Sequence, residues 1–281
     1  MANQSFIDFK KDISERNIQA TPFAWASIKG TLGHALVSVK QEASAVETLK
    51  QAITDKEAIL DDCDPVKTPQ DWVEKQLELA AAFHALAQRE EQETVVNLNK
   101  AMEAYKKLLP LITMQDNPQQ WALLLHNIAN VFQGLGEHSD GARSLERSVS
   151  AYANALTQRT AKAAPIEWAL TQNNVAVSMQ LLAELKQDLK ILKESVQTYD
   201  NAQQGLTSSE QPVAWVVTTS NLGYAQIILS EQTKDIRIAR QAVDNFNDLT
   251  LFFHDAPSSH YLELIKKLQD KARLVVDELK G

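Results

Sequence analysis

Six histidines, one cysteine and five tryptophans are the residues of this 281-residue chain best equipped for chemistry. His34, His84, His126, His138, His254 and His260 have the side chain for metal binding or proton transfer. No two of them stand at a ligand spacing such as His-Glu-x-x-His, so no metal is expected. Cys63 lies in Asp61-Asp62-Cys63-Asp64, where three carboxylates disfavour the thiolate that a nucleophile needs. The same acidic stretch lacks the glycine and the downstream glutamate of a calcium loop. Neither a phosphate-cradling glycine loop nor a Gly-x-Ser-x-Gly elbow occurs. A chain without catalytic residues and without a cofactor is the expectation.

The tryptophans invite a different idea, an aromatic cage for a ligand. Their positions argue against it. Trp25, Trp72, Trp121, Trp168 and Trp215 are separated by 47, 49, 47 and 47 residues. Pro22, Pro69, Pro118, Pro165 and Pro212 stand three residues before them. A residue repeated in one register is a packing residue, expected here against the second helix of the preceding repeat. A fixed period of this size marks a stacked repeat architecture, which grows by adding units rather than by enlarging one core.

Each proline is expected to open a helix, because its missing N–H would have no partner in the first turn anyway. Thr21, Thr68 and Asn117 precede three of the prolines and are N-cap types. Gln120 and Glu167 stand where a side chain reaches back to the cap. After Trp168, the positions Val175, Met179 and Leu182 continue one helical face. A polar break at Lys186-Gln187-Asp188 follows. A second helix then carries Leu189, Leu192, Val196, Tyr199 and Leu206 on one face. One repeat is thus two antiparallel helices joined by a short turn.

The register holds in the other copies. Eight positions after each tryptophan stand the small residues Gly33, Ala80, Ala129, Ala176 and Gly223. In the second helices Leu49, Tyr105, Tyr152, Tyr199 and Phe246 share one site. The small residues Ala45, Ala101, Ser148, Ser195 and Ala242 precede them by four. Small side chains let two backbones approach, and a large one fills the space beside them.

The segments Asn127-Ile128-Ala129, Asn174-Val175-Ala176 and Asn221-Leu222-Gly223 resemble the first-helix box of the tetratricopeptide repeat family. Ser148-Val149…Tyr152…Ala155-Leu156 and Ser195-Val196…Tyr199…Ala202 resemble its second-helix box. The resemblance covers nearly the whole chain. The family period is about 34 residues, and the surplus here lies partly before the asparagine box, where Pro-x-x-Trp extends the first helix backwards. The resemblance implies an all-α solenoid whose first helices line a groove for a partner's peptide or helix. Carried over position by position, that groove includes His34, His84, His126, Asn127, Asn130, Asn173, Asn174, Asn221 and Tyr224. Amides suit such a groove because each offers a donor and an acceptor to a peptide backbone. Asn127, Asn174 and Asn221 serve equally well as ties between neighbouring helices, and both roles stay open at this stage. The clamp for a C-terminal carboxylate known in the family is not expected, since its basic positions hold Leu123, Leu170 and His126. His84 and His126 are expected to approach each other from adjacent repeats.

The expected organisation is a single solenoid domain over 1–281. A half-repeat helix spans 1–20, full repeats span 21–67, 68–116, 117–163, 164–210 and 211–255, and a capping helix spans 256–281. Pro257 continues the lattice, with His260 in the tryptophan position and a polar outer face beyond it. Phe6 and Phe9 at the start either cap the first full repeat or leave a face for weak self-association. The formal charge of −8 and the absence of any Lys/Arg run longer than two residues leave no footprint for nucleic acid. No stretch reaches the ~18 apolar residues of a membrane span, and no secretory leader is evident. A cytoplasmic protein without membrane or nucleic-acid partners is expected. The first reading of function is a non-catalytic adaptor or regulator that binds a protein or peptide. The second is a sensor whose groove closes on a small ligand near His84, His126, Asn130 and Asn173.

Overall fold

The computed structural model describes residues 42–139, 141–254 and 260–280. The half-repeat at 1–20 with its self-association face, and Pro22, Trp25 and His34 of the first repeat, lie outside the described residues. Ten α-helices run through the described part: α1 Glu42–Asp62, α2 Pro69–Ala87, α3 Thr94–Leu108, α4 Pro118–His138, α5 Ala142–Leu156, α6 Pro165–Lys186, α7 Leu189–Gln204, α8 Pro212–Thr233, α9 Ile236–Phe252 and α10 His260–Glu278. Each helix packs on its neighbour in sequence within two compact units, 42–163 with α1–α5 and 164–280 with α6–α10. Each unit is a stretch of all-α solenoid built from helix pairs.

The four described repeat prolines each begin a helix: Pro69, Pro118, Pro165 and Pro212. The caps are more varied than the sequence suggests. Asn117 accepts a hydrogen bond from the Gln120 backbone N–H at 3.2 Å, and its Nδ2 donates to Gln120 Oε1 at 3.0 Å. Thr68 makes no side-chain cap and donates instead to the Asp64 carbonyl at 3.2 Å. The position five residues before the proline fixes each linker. Asp64 Oδ1 accepts from the Val66 N–H, and the hydroxyls of Thr113, Thr160 and Thr207 accept from the N–H groups of Asp116, Ala163 and Glu210. These side chains occupy the linker backbone locally and stop α1, α3, α5 and α7 from running on.

The turns within a pair differ between units. In the 164–280 unit Gln187 and Lys234 take the left-handed conformation, with φ of 54° and 57°. Asp188 and Asp235 follow, and cap α7 and α9 by accepting from Lys190, Ile191 and Arg237 N–H groups. In the 42–163 unit a 3-10 turn, Glu91–Glu93, bridges α2 to α3. This longer turn holds the two extra residues that stretch the Trp72–Trp121 spacing to 49.

The closing contact of each pair follows the expected small-to-large rule. Ala80, Ala129 and Ala176 are fully buried, and Tyr105, Tyr152 and Tyr199 opposite them are at most 1% exposed. Gly223 shows why size matters, since a Cβ there would sit 2.8 Å from the Phe246 ring. Ser148 and Ser195 donate to the carbonyls of Ala129 and Ala176 at 2.9 and 2.8 Å, so the same contact also joins the two helices by a hydrogen bond.

The four described tryptophans, Trp72, Trp121, Trp168 and Trp215, are half-buried packing residues. Trp72 and Trp121 pack on the core of the 42–163 unit. Trp215 meets Phe252 at 5.5 Å between ring centroids, and Gly205 lies against the Trp168 ring. Phe252 and Gly205 belong to the ends of α9 and α7, the second helices of the same repeats, whereas the sequence pointed to the preceding repeat. In an antiparallel pair the second helix ends level with the start of the first, and that brings its last turn to the tryptophan. In α10 Leu262, Ile265, Leu268, Ala272 and Val275 are buried and Lys266, Lys267, Asp270 and Lys271 are exposed, the pattern expected of a cap.

Candidate functional site

One face of α6 should be apolar by its sequence spacing, yet nearly the whole middle of this helix is buried, from Thr171 through Asn173, Asn174 and Ser178 to Ala183. Helix α8 is buried in the same way from Val216 to Gly223. The second helices keep the ordinary split between a buried and an exposed face. First helices are therefore interior elements, and the candidate groove residues go inside with them. Relative exposure is 4% for His84 and His126, 1% for Asn127, Asn173 and Asn174, and 5% for Asn130 and Asn221. Tyr224 alone of this set is half-exposed, with Lys271 Nζ 5.8 Å from its ring centroid.

Buried amides need partners, because an unmet polar group in the interior costs about 1–3 kcal/mol. In the 164–280 unit they find one another. Asn221 Nδ2 donates to Asn173 Oδ1 at 3.2 Å, and Asn173 Nδ2 donates to Asn174 Oδ1 at 3.1 Å. The first of these bonds joins successive first helices, which is the tie that the sequence left open as one role. A second polar link joins the same two repeats further out. Gln203 Nε2 donates to Thr219 Oγ1 and Asn245 Oδ1, and Asn245 Nδ2 donates to Gln226 Oε1 at 2.9 Å. Gln269 Nε2 donates to Asn247 Oδ1 at 2.7 Å and fastens the cap to α9.

The second-helix tyrosines complete the seam, with a pairing the sequence analysis missed. Tyr199 OH donates to Gln180 Oε1 at 3.1 Å, and Tyr152 OH donates to Asn130 Oδ1 and toward Gln133 Oε1. Gln133 and Gln180 stand twelve residues after their tryptophans. In the last repeat that position is Ile227, and its second-helix residue is Phe246. Glutamine goes with tyrosine and isoleucine with phenylalanine, a signal present in the repeat alignment. In the second repeat the position is His84 and the second-helix residue is Tyr105, whose hydroxyl is buried without a hydrogen-bond partner. Burial raises the Tyr105 and Tyr199 hydroxyl pKa values far from titration near neutrality.

The 42–163 unit places charge-bearing groups in this seam. The His126 ring stands edge-on to Tyr152, 5.3 Å between centroids. Burial above all, and then the positive charges of Arg159 and His84, hold the His126 pKa well below the usual 6.5. The sequence analysis gave no role to Arg159, which is 8% exposed in the linker after α5.

Among the described residues no cluster of three His, Cys, Asp or Glu side chains is placed to hold a metal ion. Among them, too, no helix is long and apolar enough to cross a membrane.

No family model matches the chain, and no curated protein does. Solved structures to which the chain shows similarity include BtubC (BKLC) from P. vanneervenii, at 16% identity over 86% of this chain and 90% of that one, with a TM-score of 0.44. A de novo designed helical repeat protein, DHR64, matches at 14% identity over 85% of this chain and 97% of its own, with a TM-score of 0.24. The class defined by the helices is an all-α helical-repeat protein.

Proposed function

We propose that this chain is a non-catalytic interaction module, a cytoplasmic adaptor or regulator that takes up a peptide or helix of a partner protein. We further propose that it is a long-period member of the tetratricopeptide repeat family. The supporting observation is a group of open apolar side chains on the 42–163 unit; Leu251 and Leu274 of the other unit are also open, at 73% and 63%, but on separate helices. Val66, Leu111 and Met114, in the linkers that precede α2 and α4, are 86%, 50% and 47% exposed. Both linkers join a second helix to the next first helix, so they lie along one edge of the 42–163 unit. Because the asparagines of the first helices are buried, this edge is the better docking surface. A stiff array with an open apolar edge suits recognition of a chain segment rather than turnover of a substrate, although fold alone never fixes function. The test is capture of partners by the intact chain against a folded Leu111→Glu, Met114→Glu variant. A partner retained by the wild type and lost by the variant supports the module. Equal capture by both overturns the assigned edge.

A ligand sensor is the second reading, favoured by one observation. Asn127 Nδ2 and Tyr105 OH are buried polar groups of the 42–163 unit without hydrogen-bond partners. A small molecule that meets them would raise the melting temperature in a metabolite screen. A flat screen removes this reading.

A further inference from the structure

We propose that the linker edge of the 42–163 unit is built for a basic amphipathic helix of a partner protein. The apolar face of that helix covers Val66, Leu111 and Met114, and its lysines or arginines meet Asp61, Asp62 and Asp71. This rests on the reading of the chain as an interaction module and names the chemistry of its partner. Among the described residues of this unit, the large apolar side chains that stay exposed are Ile59, Val66, Val96, Leu109, Leu111 and Met114. All but Val96 lie in the two linkers or in the helix turn that leads into the first of them.

One hydrogen bond sets the two linkers side by side. Gln76 Nε2 of α2 donates to the Ala104 carbonyl of α3 at 3.4 Å, across an antiparallel pair. Seven residues back from Gln76 stands Pro69, and seven on from Ala104 stands Leu111, so these two are level. The Leu111 and Ile112 N–H groups donate to the Leu108 carbonyl and carry the last turn of α3 that far. The Thr68 N–H donates to the Asp64 carbonyl and winds the other linker into α2. Val66 and Leu111 thus stand on adjoining segments one helix spacing apart, roughly 8–10 Å. The neighbouring Ile112 is buried in the core and fixes the second linker.

Charge decides what fits this surface. Helix α1 ends on Asp61 and Asp62, with no basic residue in its last turn. Two carboxylates there lie against the negative end of the helix dipole, which costs stability. Both are exposed, as is Asp71 in the first turn of α2, and none of the three has an ion-pair partner among the described residues. Lys67 of the first linker is held by Asp64 at 3.4 Å. In the second linker Asp116 adds a carboxylate, which accepts from the Thr113 hydroxyl at 2.6 Å. Lys106 and Lys107 lie further down α3, at the level of Glu74 of α2, and leave the rim to the carboxylates. Such a rim repels acidic segments. It also repels a second copy of itself, since a two-fold contact would set the same aspartates against one another. A helix fits because it sets apolar side chains on one face, at spacings of three and four, with lysines beside them.

The test uses the full chain and two fluorescently labelled peptides of about four helical turns, read by anisotropy. Both carry the same leucine stripe, one with lysines and the other with glutamates on the opposite face. The lysine peptide is expected to bind about tenfold more tightly than the glutamate peptide, and more tightly still at low salt. Val66→Glu, or Leu111→Glu with Met114→Glu, should abolish binding. Asp61→Asn with Asp62→Asn should weaken it about fivefold. The melting temperature of that variant should hold or rise, because repulsion at the end of α1 is removed. The same exchange at the exposed Asp244 and Asp248 of α9 should leave binding unchanged. Equal affinity for both peptides, lost from both with Val66→Glu, overturns the basic partner and keeps the docking edge. Lysine-peptide binding that survives every glutamate variant, or that falls as much with the α9 control, is general attraction to an acidic chain and overturns the edge as well. Binding of neither peptide overturns the basic helix and leaves the module to be judged by partner capture. Light scattering that shows a wild-type dimer broken by Val66→Glu also overturns it, since the occupant is then a second copy.

Discussion

The 42–163 and 164–280 units bury a polar stripe along the same register of their first helices, and they satisfy it with different chemistry. In the second unit the stripe is made of amides that bond across repeats, as Asn221 does to Asn173. In the first it contains two imidazoles and an asparagine with a donor unmet, and around it stand the Arg159 guanidinium from the linker after α5 and the Tyr105 hydroxyl of α3, which has no hydrogen-bond partner. The contrast teaches that one repeat frame tolerates either a neutral seam of amides bonded across repeats, with only the Thr218 hydroxyl among the described residues left unmet, or an ionisable, partly unsatisfied one. The first arrangement maximises stability.

The largest effects should come from the closing residues, and they test whether the units are separate. Tyr152→Ala and Phe246→Ala should each cost about 3–5 kcal/mol. In hydrogen exchange each loss should stay mainly in its own unit, and loss spread evenly over both would break the comparison. Gly223→Ala should cost about 1–3 kcal/mol by overpacking, because its Cβ would meet the Phe246 ring at 2.8 Å. Denaturant unfolding measures that cost.

A pair of smaller changes sharpens the contrast between seams. Tyr199→Phe removes the donor that Gln180 accepts from and should cost about 1–2 kcal/mol. Tyr105→Phe removes a buried hydroxyl without a partner and should be neutral or stabilising. Equal costs in urea titrations would mean that the two seams are satisfied alike. The smallest effect belongs to the tight turns. Lys234→Gly relieves a left-handed backbone at φ 57° and should gain about 0.5 kcal/mol, seen as a small rise in Tm.

Much of the fold was legible because it repeats. Pro69, Pro118, Pro165 and Pro212 announce four helix starts, and Ala176 with Tyr199 announces how a pair closes. The site was less legible, for physical reasons. Asn127, Asn174 and Asn221 look alike whether they face a groove or a neighbouring helix, since an amide serves both settings equally well. Burial on nearly every side of α6 does not show in its apolar spacing, because Thr171, Asn173 and Ser178 are hidden by helices from elsewhere in the chain. Arg159 sits in a linker that reads as solvent-exposed from composition. The glutamine–tyrosine pairing was readable in the repeats, as Ile227 opposite Phe246 shows, but only once the two positions are known to touch.

The central claim is that the first-helix amides tie repeats together from the inside. A double-mutant cycle on Asn173 and Asn221, by denaturant unfolding of the full chain with Asn→Ala changes, tests it most directly. A coupling energy of about 1 kcal/mol, with partner capture unchanged, is the predicted result. A coupling of zero together with lost capture would contradict the account and return these asparagines to an open groove.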